Sequence, residues 1–421
     1  MHTTKQGRIA LHALGCKLNQ AELQELAIAF ESRGFEVVGP RDDADAYVIN
    51  TCTVTAEADR KVRQWLRATR RSHPESLMVA CGCGVESTRA QLEPLADLLI
   101  SNGEKDRAAD LVSARLMAQP NCVSSEELER RFGRTRSLVK VQEGCATPCT
   151  YCIVPYVRRG EESLPVEDAL SAVRSRIRRG YKEIVLTGTR IGAYRDGEVT
   201  LAGLVRRVLG LPGLGRLRLS SVQPQELSPE LLSLWQDSRL CRHFHLSLQS
   251  GSHTVLERMR RRYDPGEYAE ALQRVRVAVP GVAITTDVIV GFPGETDGEF
   301  EESASFCEVS EFARMHVFPY SRRPGTPAAG MSGQVPAGVV RRRVAVMEEL
   351  AGRGRTTYAS SWLGRQVQVL WEAETKPGSG VYAGTSDNYL RLLCHSRTPL
   401  QNVLEEVVLE RLDEDGAWVR R

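Results

Sequence analysis

Three cysteines fall within eight residues in the run CATPCTYC: Cys145, Cys149 and Cys152, spaced CxxxCxxC. Three thiolates this close on one loop can each hold one iron of a four-iron cubane, which leaves the fourth iron open to a substrate or cofactor. A structural zinc ion would want a fourth Cys or His, and none follows within the next twenty residues. Structural zinc or spare thiols stand as the plainer alternative. Three further cysteines, Cys16, Cys52 and Cys83, each end a short apolar stretch. The chain holds 11 cysteines, an odd number, and its start (MHTTKQGRIALHALGC) lacks the apolar core of an export signal. Metal ligation or reactive thiols therefore account for them better than a disulfide framework.

The elements that must position these residues separate into three sections, with expected boundaries at 1–130, 131–355 and 356–421. In the first, residues 9–14 read as a strand ending in Gly-Cys. A helical pattern follows (AELQELAIAFESRG, apolar at Leu23, Leu26, Ala27 and Phe30), stopped by Gly34. Then come the strand AYVINTC, a basic helix over 59–71 and the strand SLMVACGC. This alternation predicts an open parallel α/β sheet, whose strand-end loops gather at one edge. Cys16, Cys52 and Cys83 would converge there, unless they are three buried core thiols.

Residues 105–136 are polar and Arg-rich and read as a connection. In the second section LVKVQ, EIVLTG, RLRLSSV, HFHLSLQSG, AITTDVIVGF and ARMHVFPYS read as strands. Helical patterns cover 165–179, 228–237, 265–277 and 296–308, the last capped by Thr296 with Glu299 as its reciprocal partner. Six βα units without an antiparallel run predict a partial barrel of TIM type. Its site lies at the carboxyl ends of the strands, where Thr187, Ser220, Ser221, Gln249 and Asp287 cluster. After a basic helical stretch at 339–353, the strands QVQVLWE, YLRLLC, NVLEEVVLE and AWVRR predict a small all-β module.

Composition narrows the class. With 421 residues, 42% hydrophobic and 26% charged, the chain can bury several cores and is neither disordered nor fibrous. No run approaches the ~18 apolar residues of a membrane helix, so no membrane partner and a cytoplasmic setting are expected. A net charge of +3 is too small to argue for nucleic acid by itself.

The CxxxCxxC loop with an aromatic before its last cysteine resembles the radical S-adenosylmethionine (SAM) superfamily. ALGCKLNQAE, VINTCTVTAEADRK, VQEGCATPCTYCIVPYVRRG, LTGTRIGAY, HLSLQSGSHTVLERMRRRY, TTDVIVGFPGET and HVFPYSRRPGTPAA extend the resemblance over nearly the whole chain. They are similar to the methylthiotransferases, most of all to the branch acting on threonylcarbamoyladenosine in tRNA. The resemblance implies that an open iron chelates SAM, that Tyr151 sits against its adenine, and that one-electron reduction yields a 5′-deoxyadenosyl radical. It also implies that Cys16, Cys52 and Cys83 ligate a second [4Fe–4S] cluster. Cys81 is the rival to Cys83, but the family motif places its ligand after Gly. Cys122, Cys241, Cys307 and Cys394 sit in no motif and read as core or surface thiols.

The implied reaction converts N6-threonylcarbamoyladenosine at position 37, in the anticodon stem-loop of tRNA, to its 2-methylthio form. A purine C2–H bond is too weakly acidic for any side-chain base, even one tuned by 3–5 units, so a radical taken from a cofactor is needed. The sulfur needs its own carrier, a role for the second cluster. One SAM would donate a methyl group and another the radical. The partners implied are tRNA, an electron donor such as flavodoxin or ferredoxin, and a sulfur donor. No side chain is assigned as a catalytic acid or base. Gly188, Ser221, Gln249 and Asp287 are the candidates for holding SAM, each also explicable as turn chemistry. Gln223 departs from the family, which more often carries an acid there.

Basic clusters at 60–71, 258–262 and 341–343 are candidate phosphate contacts, or solvated faces. The last section resembles the TRAM domain, a small β-barrel tied to tRNA binding. Yet residues 359–421 carry seven basic against nine acidic side chains, a balance unhelpful for phosphates, which leaves shape and stacking with an aromatic such as Tyr389 as the route to RNA there. The rivals are a sister enzyme acting on isopentenyladenosine or on a ribosomal-protein aspartate, and a non-catalytic metal-containing RNA-binding protein.

Overall fold

The computed structural model describes residues 7–116, 135–158, 160–414 and 416–421. It resolves into two compact units. The first comprises Met1–Gly133, Gly144–Ala146 and Cys152–Glu161; the second comprises Arg134–Glu143, Thr147–Tyr151 and Glu162–Arg421.

The first unit is a five-stranded parallel sheet: β1 (Arg8–Ala13), β2 (Glu36–Val38), β3 (Ala46–Thr51), β4 (Leu77–Gly82) and β5 (Leu98–Ile100), in the order β2-β1-β3-β4-β5. Its helices are α1 (Lys17–Glu31), α2 (Ala56–Ser72), α3 (Cys83–Leu92) and α4 (Ala108–Leu116). The strands are apolar on both faces, as a sheet covered on both sides requires. Ile9, Leu11, Val48, Val79 and Cys81 face the core shared with α1 and α4. Ile49 and Ala80 face Val62 and Leu66 of α2 and Val85 of α3. The three-residue strand β2 is too short to leave a period in the sequence and was not expected.

The second unit opens with the barrel expected from the alternation. Strands β6 (Arg136–Gly144), β8 (Glu183–Gly188), β11 (Arg216–Leu219) with β12 (Ser221–Val222), β13 (His243–Leu246), β14 (Ala283–Val290) and β15 (Arg314–Pro319) follow one another as parallel neighbours. RLRLSSV, read as one strand, is interrupted at Ser220, though the Ser220 amide still bonds Leu186 O at 3.0 Å. A short strand β7 (Glu161–Ser163) flanks β6, and a small hairpin is made by β9 (Arg195–Asp196) and β10 (Val199–Thr200). The outer helices are α6 (Val166–Arg178), α7 (Leu201–Leu209), α8 (Pro229–Ser233), α9 (His253–Arg258), α10 (Pro265–Ala278) and α11 (Asp297–Val309), with the turn α5 (Val154–Val157) belonging to the first unit. Thr296 caps α11 with Glu299 reciprocating, as the sequence predicts.

After α12 (Pro327–Gly330) and the 24-residue α13 (Ala337–Ser360) comes a closed five-stranded barrel. It is built from β16 (Gln366–Glu374), β17 (Val381–Ser386), β18 (Arg391–His395), β19 (Leu404–Asp413) and β20 (Gly416–Arg420) around Trp371, Leu392 and Leu409. This module sits against the starts of the barrel strands. Glu183, the first residue of β8, accepts from Arg216 and Arg218, whose remaining N–H groups donate to the carbonyls of Gln368, Thr385, Ser386 and Asp387. Arg136 pairs with Glu372 at 3.1 Å and Arg242 with Asp387 at 2.6 Å. Tyr389 is part of the same seam: it stacks on His243 at 4.0 Å, with the Arg218 guanidinium 5.2 Å from its ring. The expectation that Tyr389 offers its face to a base is therefore corrected, because the barrel already occupies that face.

Candidate active site

In the first unit, β1, β3 and β4 are adjacent and parallel, and each is followed within three residues by a cysteine. Cys16 is the N-cap of α1, Cys52 follows Thr51, and Cys83 opens α3. In the order 2-1-3-4-5 the sequence of strands switches from one side of β1 to the other between β1 and β3, and ligands of doubly wound sheets bind outside the strand ends at such a switch point. Two glycines bring the chain round: Gly15 (φ +117°) and Gly82 (φ +98°) precede Cys16 and Cys83. A side chain at Gly15 would strike the Cβ and Sγ of Cys52. Burial pushes the Cys52 thiol up to about 12, and the Cys16 and Cys83 sulfurs are near enough to add to that rise. Cys81 points elsewhere: it is fully buried in the α1/α4 core, its thiol 3.5 Å from Ile49 O.

A buried polar network supports this edge. Asn19 donates to Leu14 O (3.1 Å) and Thr51 O (2.9 Å), tying the ends of β1 and β3, and its Oδ1 lies 3.6 Å from Cys16 Sγ. Arg158 and Lys105 both reach the carboxylate of Glu22. Ile153 and Val157, from the segment after the CxxxCxxC loop, pack on Cys83. Sequence reasoning missed Arg158 and Glu22, although the quoted motif VPYVRRG contains the arginine.

The CxxxCxxC loop is shared between the units: Cys145 and Cys152 pack with the first, Cys149 with the second. In the second unit, Thr150 anchors the loop through its amide to Met259 O (3.1 Å) and its hydroxyl to Arg258 O (2.8 Å). Arg261 stacks on Tyr263 and donates to Cys149 Sγ at 3.5 Å. Tyr151 packs against Val255, Met259 and Phe292. The run 258–262 is thus only partly a phosphate surface: Arg258 is held by Glu299 and Arg261 turns inward, while Arg260 and Arg262 are exposed. Likewise Arg343 is buried on Glu295 and Asp297, leaving Arg341 and Arg342 outside. On α2, Arg60, Lys61, Arg67 and Arg71 are exposed.

The other candidates lie at the strand ends of this same barrel. Gly188 ends β8 against Gln142, whose Oε1 accepts from the Arg190 amide at 2.7 Å. Arg190 also reaches Thr147 (3.3 Å) and Glu226 (2.6 Å). Glu226 thus brings a carboxylate to the segment where Gln223 lacks one. Ser221 pairs with His245 across the sheet. Gln249 holds φ +70°, a strained conformation for a non-glycine residue, and its backbone bonds Asp287 O and the Ile289 amide. Asp287 stands 3.2 Å from His245, which with His243 flanks Thr285 inside the barrel. Arg190, Glu226 and His245 were not singled out from the sequence, and Arg261 figures there only as part of a basic run. A cavity of about 320 Å³ opens beside the edge strand β15 and α13, lined by Arg314, His316, Phe318, Glu348 and Arg355 among others.

Whether these residues fit iron–sulfur clusters can be tested on the thiols. No disulfide joins any of the described cysteines, and Cys241, Cys307 and Cys394 are buried away from any motif; Cys122 lies outside the described residues. Among the described residues no three Cys, His, Asp or Glu side chains stand close enough to share one metal ion, as a mononuclear zinc site demands. A cubane instead gives each thiolate its own iron, so three sulfurs following adjacent strand ends suit its donor set. No helix among the described residues is long and apolar enough to cross a membrane.

The Radical SAM superfamily matches residues 139–307, and the Uncharacterized protein family UPF0004 matches residues 8–100. The threonylcarbamoyladenosine tRNA methylthiotransferase MtaB of Bacillus subtilis (strain 168) is 35% identical over 404 residues, covering 91% of this chain and 90% of the relative. The tRNA-2-methylthio-N(6)-dimethylallyladenosine synthase of Syntrophotalea carbinolica is 33% identical, covering 89% and 90%. Among solved structures, the radical SAM methyltransferase TsrM of Kitasatospora setae shares the fold with TM-score 0.57 at 16% identity, over 76% of this chain and 74% of that one. Coverage, identity and cysteine pattern together place the chain: it belongs to the radical SAM tRNA methylthiotransferases, which work with SAM and two [4Fe–4S] clusters.

Proposed function

We propose that this chain replaces the C2 hydrogen of N6-threonylcarbamoyladenosine, at position 37 of tRNA, with a methylthio group. Cys145, Cys149 and Cys152 would hold the SAM-binding cluster, and Cys16, Cys52 and Cys83 the second. The observation that supports the reading is that three cysteines, remote in sequence, follow the ends of the adjacent parallel strands β1, β3 and β4. The threonylcarbamoyl substrate is favoured by the names of the relatives at 34–35% identity.

When loaded, the SAM-binding cluster supplies the one-electron chemistry that an unreactive C–H bond requires. The chain's own residues hold and orient. Arg261 donates to Cys149, and Tyr151, backed by Met259 and Phe292, offers a ring to adenine. Gly188, Ser221, Gln249 and Asp287 offer backbone and polar atoms to SAM from successive strand ends. A one-electron donor of the flavodoxin or ferredoxin class and a sulfur donor complete the reaction. Nucleoside mass analysis of a deletion strain tests the substrate: the 2-methylthio threonylcarbamoyl nucleoside disappears, whereas loss of the isopentenyl product would refute this choice. Cys149→Ala abolishes SAM cleavage, whereas Cys16→Ala keeps cleavage and stops thiolation. About eight irons per chain support two cubanes, and stoichiometric zinc would support the non-catalytic rival.

A further inference from the structure

Arg158 lies six residues after Cys152 and is 3% exposed. Its Nη1 donates to Glu22 Oε1 at 2.6 Å, and its Nη2 to Glu22 Oε2 at 3.0 Å and Asn19 Oδ1 at 3.2 Å. This two-pronged grip fixes the guanidinium plane, because a carboxylate and a guanidinium match as parallel forks. The remaining Nε–H is thereby aimed at Cys83, and it donates to Sγ at 3.2 Å. Glu22, 2% exposed, also receives Lys105 Nζ at 2.8 Å and Asn50 Nδ2 at 3.0 Å. Buried charges are costly unless opposite charges stand beside them, and the Cys83 sulfur, as a thiolate bound to iron, would set an anion against the Nε–H of Arg158.

We propose that Arg158 is a positioning residue for the second cluster, holding the Cys83 sulfur in place and stabilising the cluster's negative charge. The assignment rests on Cys16, Cys52 and Cys83 being its ligands. Hydrogen bonds and cations at ligand sulfurs raise the reduction potential of iron–sulfur clusters. Arg158 therefore makes the second cluster easier to reduce and slower to lose iron.

The full chain carrying Cys145→Ala, Cys149→Ala and Cys152→Ala, reconstituted anaerobically with iron and sulfide, isolates this cluster. Bound iron of about four per chain, lost on adding Cys16→Ala, establishes the ligand assignment; its absence overturns that assignment and this proposal with it. With ¹⁵N-arginine labelling, pulsed electron paramagnetic resonance of the reduced cluster shows a nitrogen coupling that vanishes in Arg158→Lys. Arg158→Gln moves the midpoint potential downward and speeds iron loss to a chelator, with Arg158→Lys between. Full iron content without an arginine coupling, or potentials unchanged in both variants, overturns the role of Arg158 while leaving the ligands standing. The coupling is read on unsubstituted Arg158, so it decides the matter even if Arg158→Gln does not fold.

Discussion

Glu183→Gln tests the seam between the barrel and the C-terminal module. Glu183 is fully buried at the start of β8, with Arg216 at 2.5 Å and Arg218 at 2.9 Å. Burial alone would raise its carboxyl, yet the two guanidiniums hold it far below the usual range. Each pair at ~4 Å charge separation is worth about 4 kcal/mol at an effective dielectric constant near 20, most of it cancelled by desolvation. Glutamine keeps the shape but strands two buried cations, and removing one partner of such a cluster costs about 3–5 kcal/mol. At roughly 2–4 °C per kcal/mol for a unit of this size, the unfolding midpoint falls by about 10 °C. Both arginines also carry the module's carbonyls, so the loss falls on the seam. Thermal scans read through tryptophan fluorescence, with Trp362 and Trp371 in the module, should show its transition move first, and limited proteolysis should cut after α13. A triple apolar variant, Glu183→Leu with Arg216→Met and Arg218→Leu, should recover stability, since it removes the charges together. An unchanged midpoint in Glu183→Gln would refute the reasoning.

The other predictions are narrower. Gly15→Ala forces a methyl group onto Cys52 at φ +117°; it should cost about 1–3 kcal/mol and lower bound iron at the second cluster, read by iron analysis beside a thermal scan. Arg341→Glu with Arg342→Glu, the exposed pair of the basic run 341–343, should weaken tRNA binding. The slope of log affinity against log salt should fall by about one for each phosphate no longer engaged, read by titration at several salt concentrations. The hydrogen bond from Arg258 holds the Glu299 carboxyl down to about 2, below its ordinary 4.5. Its stabilisation is therefore full above about pH 4.5 and is lost as pH falls toward 2, amounting after solvent screening to about 1 kcal/mol. Acid unfolding of Glu299→Gln should lose that part of the pH dependence.

The cysteine chemistry and the long strands were legible because both are local: CxxxCxxC needs only spacing, and AITTDVIV needs only its apolar run. Short β2 leaves too few residues for a period, β17 (VYAGTS) is masked by its small and polar residues, and α7 escapes the helical pattern. RLRL reads as alternating apolar and solvent-facing residues, yet all four are buried, since Glu183 and the module cover the arginines. The knot of Glu22, Lys105 and Arg158 spans 136 positions from first to last, so nothing in local pattern announces it. Tyr389 misled for the same reason: its partner His243 is supplied by a different section of the chain.

The segment Cys152–Glu161 follows the first barrel strand in the chain but packs as part of the first unit. A cassette exchange at residues 130–135, joining the front of this protein to the barrel of a relative, would import a foreign Arg158 segment onto a native α3 and Glu22. Sequence breakpoints and structural seams do not coincide here, so a working chimera has to carry 152–161 together with the front half.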